Sequence, residues 1–202
     1  MKSSDLIKQI NINEIENFKI GSAQNYDAMT GVTVIICEKG GSAGVDISGG
    51  GPASRETPLL SPITADNAIH AVVLSGGSAF GLAASDGIMQ WLEQHGIGYH
   101  TKHCIVPLVV QSCLFDLAFG KSDVRPDSEM GRAACENALL NHPVSGSIGA
   151  GTGATVGKLR GIEHADKSGL GVYAVQIGDL KIGAVVALNA LGDIFDFETG
   201  EK

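Results

Sequence analysis

The sequence predicts an α+β protein. Three observations carry that prediction: several runs rich in Val and Ile read as strands, two segments carry helix start and stop signals, and many of the 28 glycines stand at the junctions. At 202 residues the chain is long enough for one sizeable core and reads as a single domain over 1–202. Aromatic residues make up only 5%. With so much glycine, this points to tight corners and close-packed layers, and the β-branched runs are too numerous for disorder.

Residues 1–20 are polar with scattered Ile and Leu and read as a variable lead-in. Gly31-Val-Thr-Val-Ile-Ile-Cys37 reads as a strand bounded by Lys39-Gly-Gly41. Gly44-Val-Asp-Ile47 reads as a second, short strand that runs into Ser48-Gly-Gly-Gly-Pro52, a segment too flexible for an element interior. Arg55 and Glu56 follow in a loop closed by Pro58, where they pair with each other, face a pocket or stay solvated. Ile69-His-Ala-Val-Val-Leu74 is almost unbroken in its apolar character, as expected of a strand buried on both faces. After Ser75-Gly-Gly-Ser78 a helix spans about Ala79–Gln94, with Phe80, Ala83, Ala84, Met89 and Leu92 available for burial and Gly96 as its stop. Ser78 stands at a strand–turn–helix corner, but a nucleophile elbow needs glycine where Phe80 stands, so Ser78 reads as a helix cap.

Ile105–Val110 is a strand interrupted by Pro107, and Asp127 or Ser128 caps a helix through Leu140 that Pro143 ends. Gly171–Ile177 and Leu180–Leu188 flank Gly178-Asp179, a good hairpin signal. The second of these strands delivers Asn189, whose carboxamide either donates to an oxyanion or caps a turn.

Between the second helix and the hairpin lies Gly146–Leu159. Its five glycines in twelve residues exceed the needs of a turn and let a backbone or ligand come close. The one charge in it is Lys158. A lysine among small residues suits desolvation or donation to a developing anion, and a solvated lysine at a strand-to-loop corner is the alternative. A Walker A loop fails because Thr152 and Leu159 occupy its glycine and hydroxyl positions. The loose dinucleotide pattern at Gly149–Ala154 lacks a strand-borne acid about twenty residues on.

Net charge is −8, which argues against nucleic-acid or anionic-membrane partners. No apolar run approaches the roughly 18 residues of a membrane span, and the start of the chain lacks a signal-peptide core. Cys37, Cys104, Cys113 and Cys135 show no paired spacing, and the six histidines are scattered, with only His100 and His103 close together. No metal and no cofactor is expected, and a soluble cytoplasmic protein is.

Five segments in one order resemble a known family. They are Gly-Val-Asp-Ile-Ser-Gly-Gly-Gly-Pro-Ala-Ser-Arg-Glu-Thr (44–57), His-Ala-Val-Val-Leu-Ser-Gly-Gly-Ser-Ala-Phe-Gly-Leu (70–82), Arg-Pro-Asp (125–127), Gly-Ala-Gly-Thr-Gly-Ala-Thr-Val-Gly-Lys (149–158) and Asn-Ala-Leu-Gly-Asp (189–193). Together they are similar to the P1 peptidase family, which includes the D-aminopeptidase DmpA, β-peptidyl aminopeptidases and nylon-oligomer hydrolases. The resemblance runs from about Thr30 to Gly200.

It implies a four-layer αββα sandwich like that of N-terminal-nucleophile hydrolases, and a precursor that cuts itself into α and β chains. The new N-terminal Ser or Thr of the β chain is then the nucleophile, and residues 1–202 correspond to the α-chain portion. The implied partners are the β chain, a small peptide or amide substrate, and further αβ units in an oligomer. By motif, Asn189 matches the oxyanion-hole asparagine and Lys158 the lysine near the nucleophile in the nylon-hydrolase branch. Phe115 stands where members commonly have Tyr. Cys113 stands where the aminopeptidase branch has a carboxylate that holds the substrate amine. Both departures tilt the expectation from a strict aminopeptidase toward a broader amide hydrolase. The competing expectations are an acyltransferase of the ornithine acetyltransferase type and a non-catalytic assembly protein.

Overall fold

The computed structural model describes residues 7–64 and 68–202. In chain order the strands are β1 (Ile7–Gln9), β2 (Phe18–Asn25), β3 (Thr30–Gly41), β4 (Ser54–Arg55), β5 (Ile69–Ser75), β6 (Tyr99–His100), β7 (Ile105–Val106), β8 (Val109–Cys113), β9 (Thr155–Val156), β10 (Asp166–Lys167), β11 (Leu170–Ile177) and β12 (Leu180–Ala187). The α-helices are α1 (Ala84–Gln94) and α2 (Ser128–Ala138). Five strands form one sheet in the order β2-β3-β5-β8-β4, and three form a second in the order β1-β11-β12. In the larger sheet only β5 and β8 run parallel, with α1 in the crossover between them.

β3 explains the layering. Val32, Val34 and Ile36 point to one side and pack with Ala71, Val73, Val109 and the inner faces of α1 and α2. Ile35 points to the other side and joins Ile20, Val172, Ala174 and Val185 between the two sheets. A strand covered on both faces must be apolar on both, as β3 is; β5, expected to be buried on both faces, buries Ala71 and Val73 against the helices but leaves Val72 36% exposed on its other face. The described residues therefore stack as helices, large sheet, small sheet.

The two helices touch through glycines. A Cβ on Gly87 would stand 1.9 Å from the Ser128 carbonyl oxygen, and one on Gly131 2.1 Å from that of Ala84. Trp91 is buried at this contact, stacks on His95 with ring centroids 3.7 Å apart, and donates its Nε1–H to Glu136 Oε1 at 2.7 Å.

Several expectations hold and several need correction. The hairpin, the break at Pro107, and the Gly96 stop are as expected. Asp127, not Ser128, caps α2 by accepting from Met130 N–H at 2.9 Å. The polar lead-in carries β1 and the start of β2, anchored by buried Ile10, Ile12 and Ile20. Gly44–Ile47 is loop, since nothing among the described residues pairs with it and Val45 and Ile47 stay about half exposed. Ser78 is no cap: Gly77 holds the N-cap position, and Ser78 opens a 3-10 turn over Ser78–Ala83 with a positive φ of 52°. Ala83 and Phe80 are exposed, and the Arg125 guanidinium covers the Phe80 ring at 3.6 Å. Arg55 belongs to β4 and pairs with Asp86 at 2.6 Å, not with Glu56.

Candidate active site

The glycine-rich stretch is not a solvated corner. Gly149 to Val156 is buried throughout, and a 3-10 turn over Gly149–Gly151 packs on β3. Ala150 N–H donates to the buried Thr33 Oγ1 at 3.1 Å. Lys167 reaches across from β10 and donates to the carbonyls of Gly151 and Ala154, at 3.0 and 3.1 Å, and to that of Ser168. The loop's orphan carbonyls are thus met by a lysine whose pKa burial lowers.

From this platform β9 and Gly157, which has a left-handed φ of 71°, lead to Lys158. The tail of β12 runs beside it: Gly157 N–H donates to Gly192 O and Lys158 N–H to Leu191 O, both at 2.8 Å. Lys158 and Asn189, 31 positions apart in sequence, are thereby held together. Lys158 Nζ donates to Asn189 Oδ1 at 2.7 Å, Thr155 O at 2.8 Å and Asn189 O at 3.2 Å. Burial lowers its pKa.

Asn189 is oriented on both sides. Its Oδ1 also accepts from Thr155 N–H at 3.0 Å, and its Nδ2 donates to Phe115 O at 3.0 Å. With the oxygen taken twice, the amide cannot flip without losing bonds. The second Nδ2 proton has no acceptor among the described residues. Asn189, Lys158 and Thr155 line a pocket of about 380 Å³ whose other walls are Phe115, Asp116, Ala118, Phe119, Ile162 and Leu191.

Phe115 therefore lies at the site, contributing a carbonyl that holds Asn189 and a ring that is 60% exposed. Cys113 is not among the residues lining the pocket. Its Sγ lies 3.1 Å from Ser75 Oγ and accepts from Gln111 Nε2 at 3.5 Å. Burial pushes the thiol pKa up, as does the charge of Asp116, against the lowering effect of the Ser75 and Gln111 contacts. A neutral, hydrogen-bonded thiol is a poor nucleophile. Neither the type nor the spacing of Thr155 and Asp116 marks them as site residues. Thr155 lies inside the glycine motif and Asp116 directly follows Phe115, so proximity to these residues is the signal the sequence carries for them.

A model of peptidase family S58 matches residues 10–199. The chain belongs to that family. An uncharacterised aminopeptidase of Mycobacterium leprae is 40% identical over 179 residues, covering 84% of this chain and 47% of that protein. A 6-aminohexanoate-oligomer endohydrolase of Kocuria is 33% identical over 177 residues, covering 88% of this chain and 47% of that enzyme. The chain spans about half the length of these relatives.

Among solved structures, the L-aminopeptidase D-Ala-esterase/amidase of Ochrobactrum anthropi, described as a variant of the Ntn hydrolase fold, aligns with a TM-score of 0.67 at 20% identity. The alignment covers 90% of this chain and 53% of that one. The PH0078 protein of Pyrococcus horikoshii aligns at 0.61 with 22% identity, covering 95% and 60%. At such identity these structures speak to fold alone. The fold of this S58 chain is that Ntn-hydrolase variant, of the α+β class expected.

Proposed function

We propose that this chain is the α portion of a self-processing amide hydrolase acting on small peptides or amide oligomers, completed by a β chain from the same precursor. The observation that carries the reading is the orientation of Asn189. Two donors fix its oxygen, the Phe115 carbonyl takes one Nδ2 proton, and the other is free beside a pocket. A preorganised donor of this kind stabilises the oxyanion that forms when an amide carbonyl is attacked. Lys158, adjacent, places a positive charge where a Ser or Thr nucleophile at the start of the β chain would be polarised. The pocket walls are otherwise mostly apolar, and the one carboxylate among them, Asp116, accepts bonds on both oxygens. That lining favours a neutral amide over a substrate held by its free amine.

The small sheet supports the β-chain partner. Its outer face carries Ile7, Tyr173, Ile177, Leu180, Ile182 and Val186, each between 38% and 60% exposed. An apolar sheet face of this extent requires a cover, and a further layer of the sandwich supplied by the β chain would provide it.

The test uses the full-length gene product. Intact mass and N-terminal sequencing are expected to give two fragments, the second beginning with Ser or Thr. Asn189→Ala is expected to lower kcat by about 10²–10³ and to slow self-cleavage, with the fold retained. A full-length product that stays in one piece, or an Asn189→Ala variant with full turnover, removes the reading.

A further inference from the structure

Asp116 is the one buried carboxylate among the described residues, only 4% exposed. A buried carboxylate costs several kcal/mol unless it is paired or well hydrogen-bonded. Here neutral donors hold it. Gly77 N–H donates to Oδ1 at 2.7 Å and the Thr30 hydroxyl to Oδ2 at 2.8 Å. The niche is cut to fit by glycines: a Cβ on Gly76 would stand 1.9 Å from Asp116 Oδ2, and one on Gly153 2.8 Å from Asp116 Cβ. The exit of β5, the entry to β3 and the glycine-rich loop thus all meet on this side chain.

The backbone around Asp116 shows what the anchoring achieves. Leu114 N–H donates to Ser75 O at 2.7 Å and Ser78 N–H to Leu114 O at 2.8 Å, which ties the near side of the segment to the end of β5. The carboxylate ties the far side to Gly77 and Thr30. Between the two ties lies the Phe115 carbonyl, which accepts from Asn189 Nδ2 at 3.0 Å. No side-chain hydrogen bond joins Asp116 to Asn189 or Lys158 directly.

We propose that Asp116 is a positioning residue: it locks the Phe115–Asp116 peptide, and through the Phe115 carbonyl aims the remaining Nδ2 proton of Asn189 at the reacting carbonyl. The inference rests on the oxyanion role of Asn189. It differs from a merely structural tie in one respect. If Asp116 acts through Asn189, its loss has no effect on turnover once Asn189 is gone.

A double-mutant cycle on the full-length gene product tests this, with the rate of precursor self-cleavage as one readout and, on the cleaved fraction, turnover of an N-acetylated amino-acid p-nitroanilide as the other. Asp116→Ala is expected to lower kcat by about 10–100-fold with KM within about twofold, the signature of an interaction realised in the transition state. The Asp116→Ala/Asn189→Ala double variant is expected within about threefold of Asn189→Ala alone. Asp116→Asn, which still presents an oxygen to Gly77 N–H, is expected to recover most of the loss. If Asp116→Ala does not fold, Asp116→Asn and Thr30→Val replace it in the cycle, with smaller losses that Asn189→Ala again absorbs. Additive losses, or losses seen in KM alone, overturn the inference while the hydrolase reading stands. A wild-type protein that neither cuts itself nor releases p-nitroaniline overturns the hydrolase reading and this inference with it.

Discussion

Lys158 has no proton left over. Its ammonium donates to three oxygens, and the longest of these bonds, 3.2 Å to Asn189 O, is the one most easily exchanged for a nucleophile's hydroxyl. Lys158→Met keeps the stem and removes all three donors, so Asn189 Oδ1 retains only Thr155 N–H. Turnover per assembled αβ particle, and self-cleavage, are expected to fall by about 10² or more with assembly intact. Weakened assembly with unchanged turnover per particle would instead make Lys158 a tie between chains. Cys113 leads to a second expectation. Its thiol is turned to Ser75 and Gln111, and Asp116 is occupied, so among the described residues no free carboxylate lines the pocket to hold a protonated amine. An N-acetylated amide and its free-amine parent should therefore hydrolyse at comparable kcat/KM. A preference for the free amine above about a hundredfold, roughly 2.7 kcal/mol, would require another anchor.

At the level of elements, what the sequence made legible was what repeats in a pattern. β3, β5 and the β11–β12 hairpin announce themselves because their apolar runs are long and their ends carry glycine. β1 and β2 stay hidden because Ile10, Ile12 and Ile20 are isolated among polar residues and find their partners far away, on β11 and β12. Gly44–Ile47 has strand composition but no pairing strand among the described residues, and composition cannot reveal pairing. The site divides the same way. Within the candidate site, Lys158 and Asn189 stand in motifs, whereas the Thr155 backbone N–H that holds Asn189 Oδ1 and the buried Asp116 carboxylate are displayed only by the folded chain.

One junction between elements also carries a pH dependence. Buried His70 in β5 accepts Leu108 N–H on its ring Nδ1 at 3.2 Å, and the His70 backbone N–H donates to Leu108 O at 2.8 Å, next to β8. Burial, with a smaller effect from the charge of His100, pushes its pKa below the ordinary 6.5. The unfolded chain then binds the proton more readily than the folded one. The contribution to stability is complete above pH 6.5 and is lost as pH falls through the folded-state value. His70→Asn keeps an acceptor and removes the titration. Its denaturation midpoint is expected to fall less steeply below pH 6.5 than that of the wild type, and parallel curves would discount His70.

For the molecule as a whole, the imbalance of its surface is the feature that matters. Beyond the outer face of the small sheet, Leu191, Phe195 and Phe197 are exposed at 61, 58 and 94%. Residues 1–202 expressed alone are expected to bind a hydrophobic dye, and the full-length protein not to. A dye-silent fragment would mean that this face needs no partner. The same chain carries its own optical gauge for such work. Trp91 is the single tryptophan in these 202 residues, and it sits where α1 meets α2, against an imidazole and a carboxylate. Its emission wavelength and quantum yield, excited at the red edge where the three tyrosines do not absorb, therefore report the docking of one helix on the other without a label.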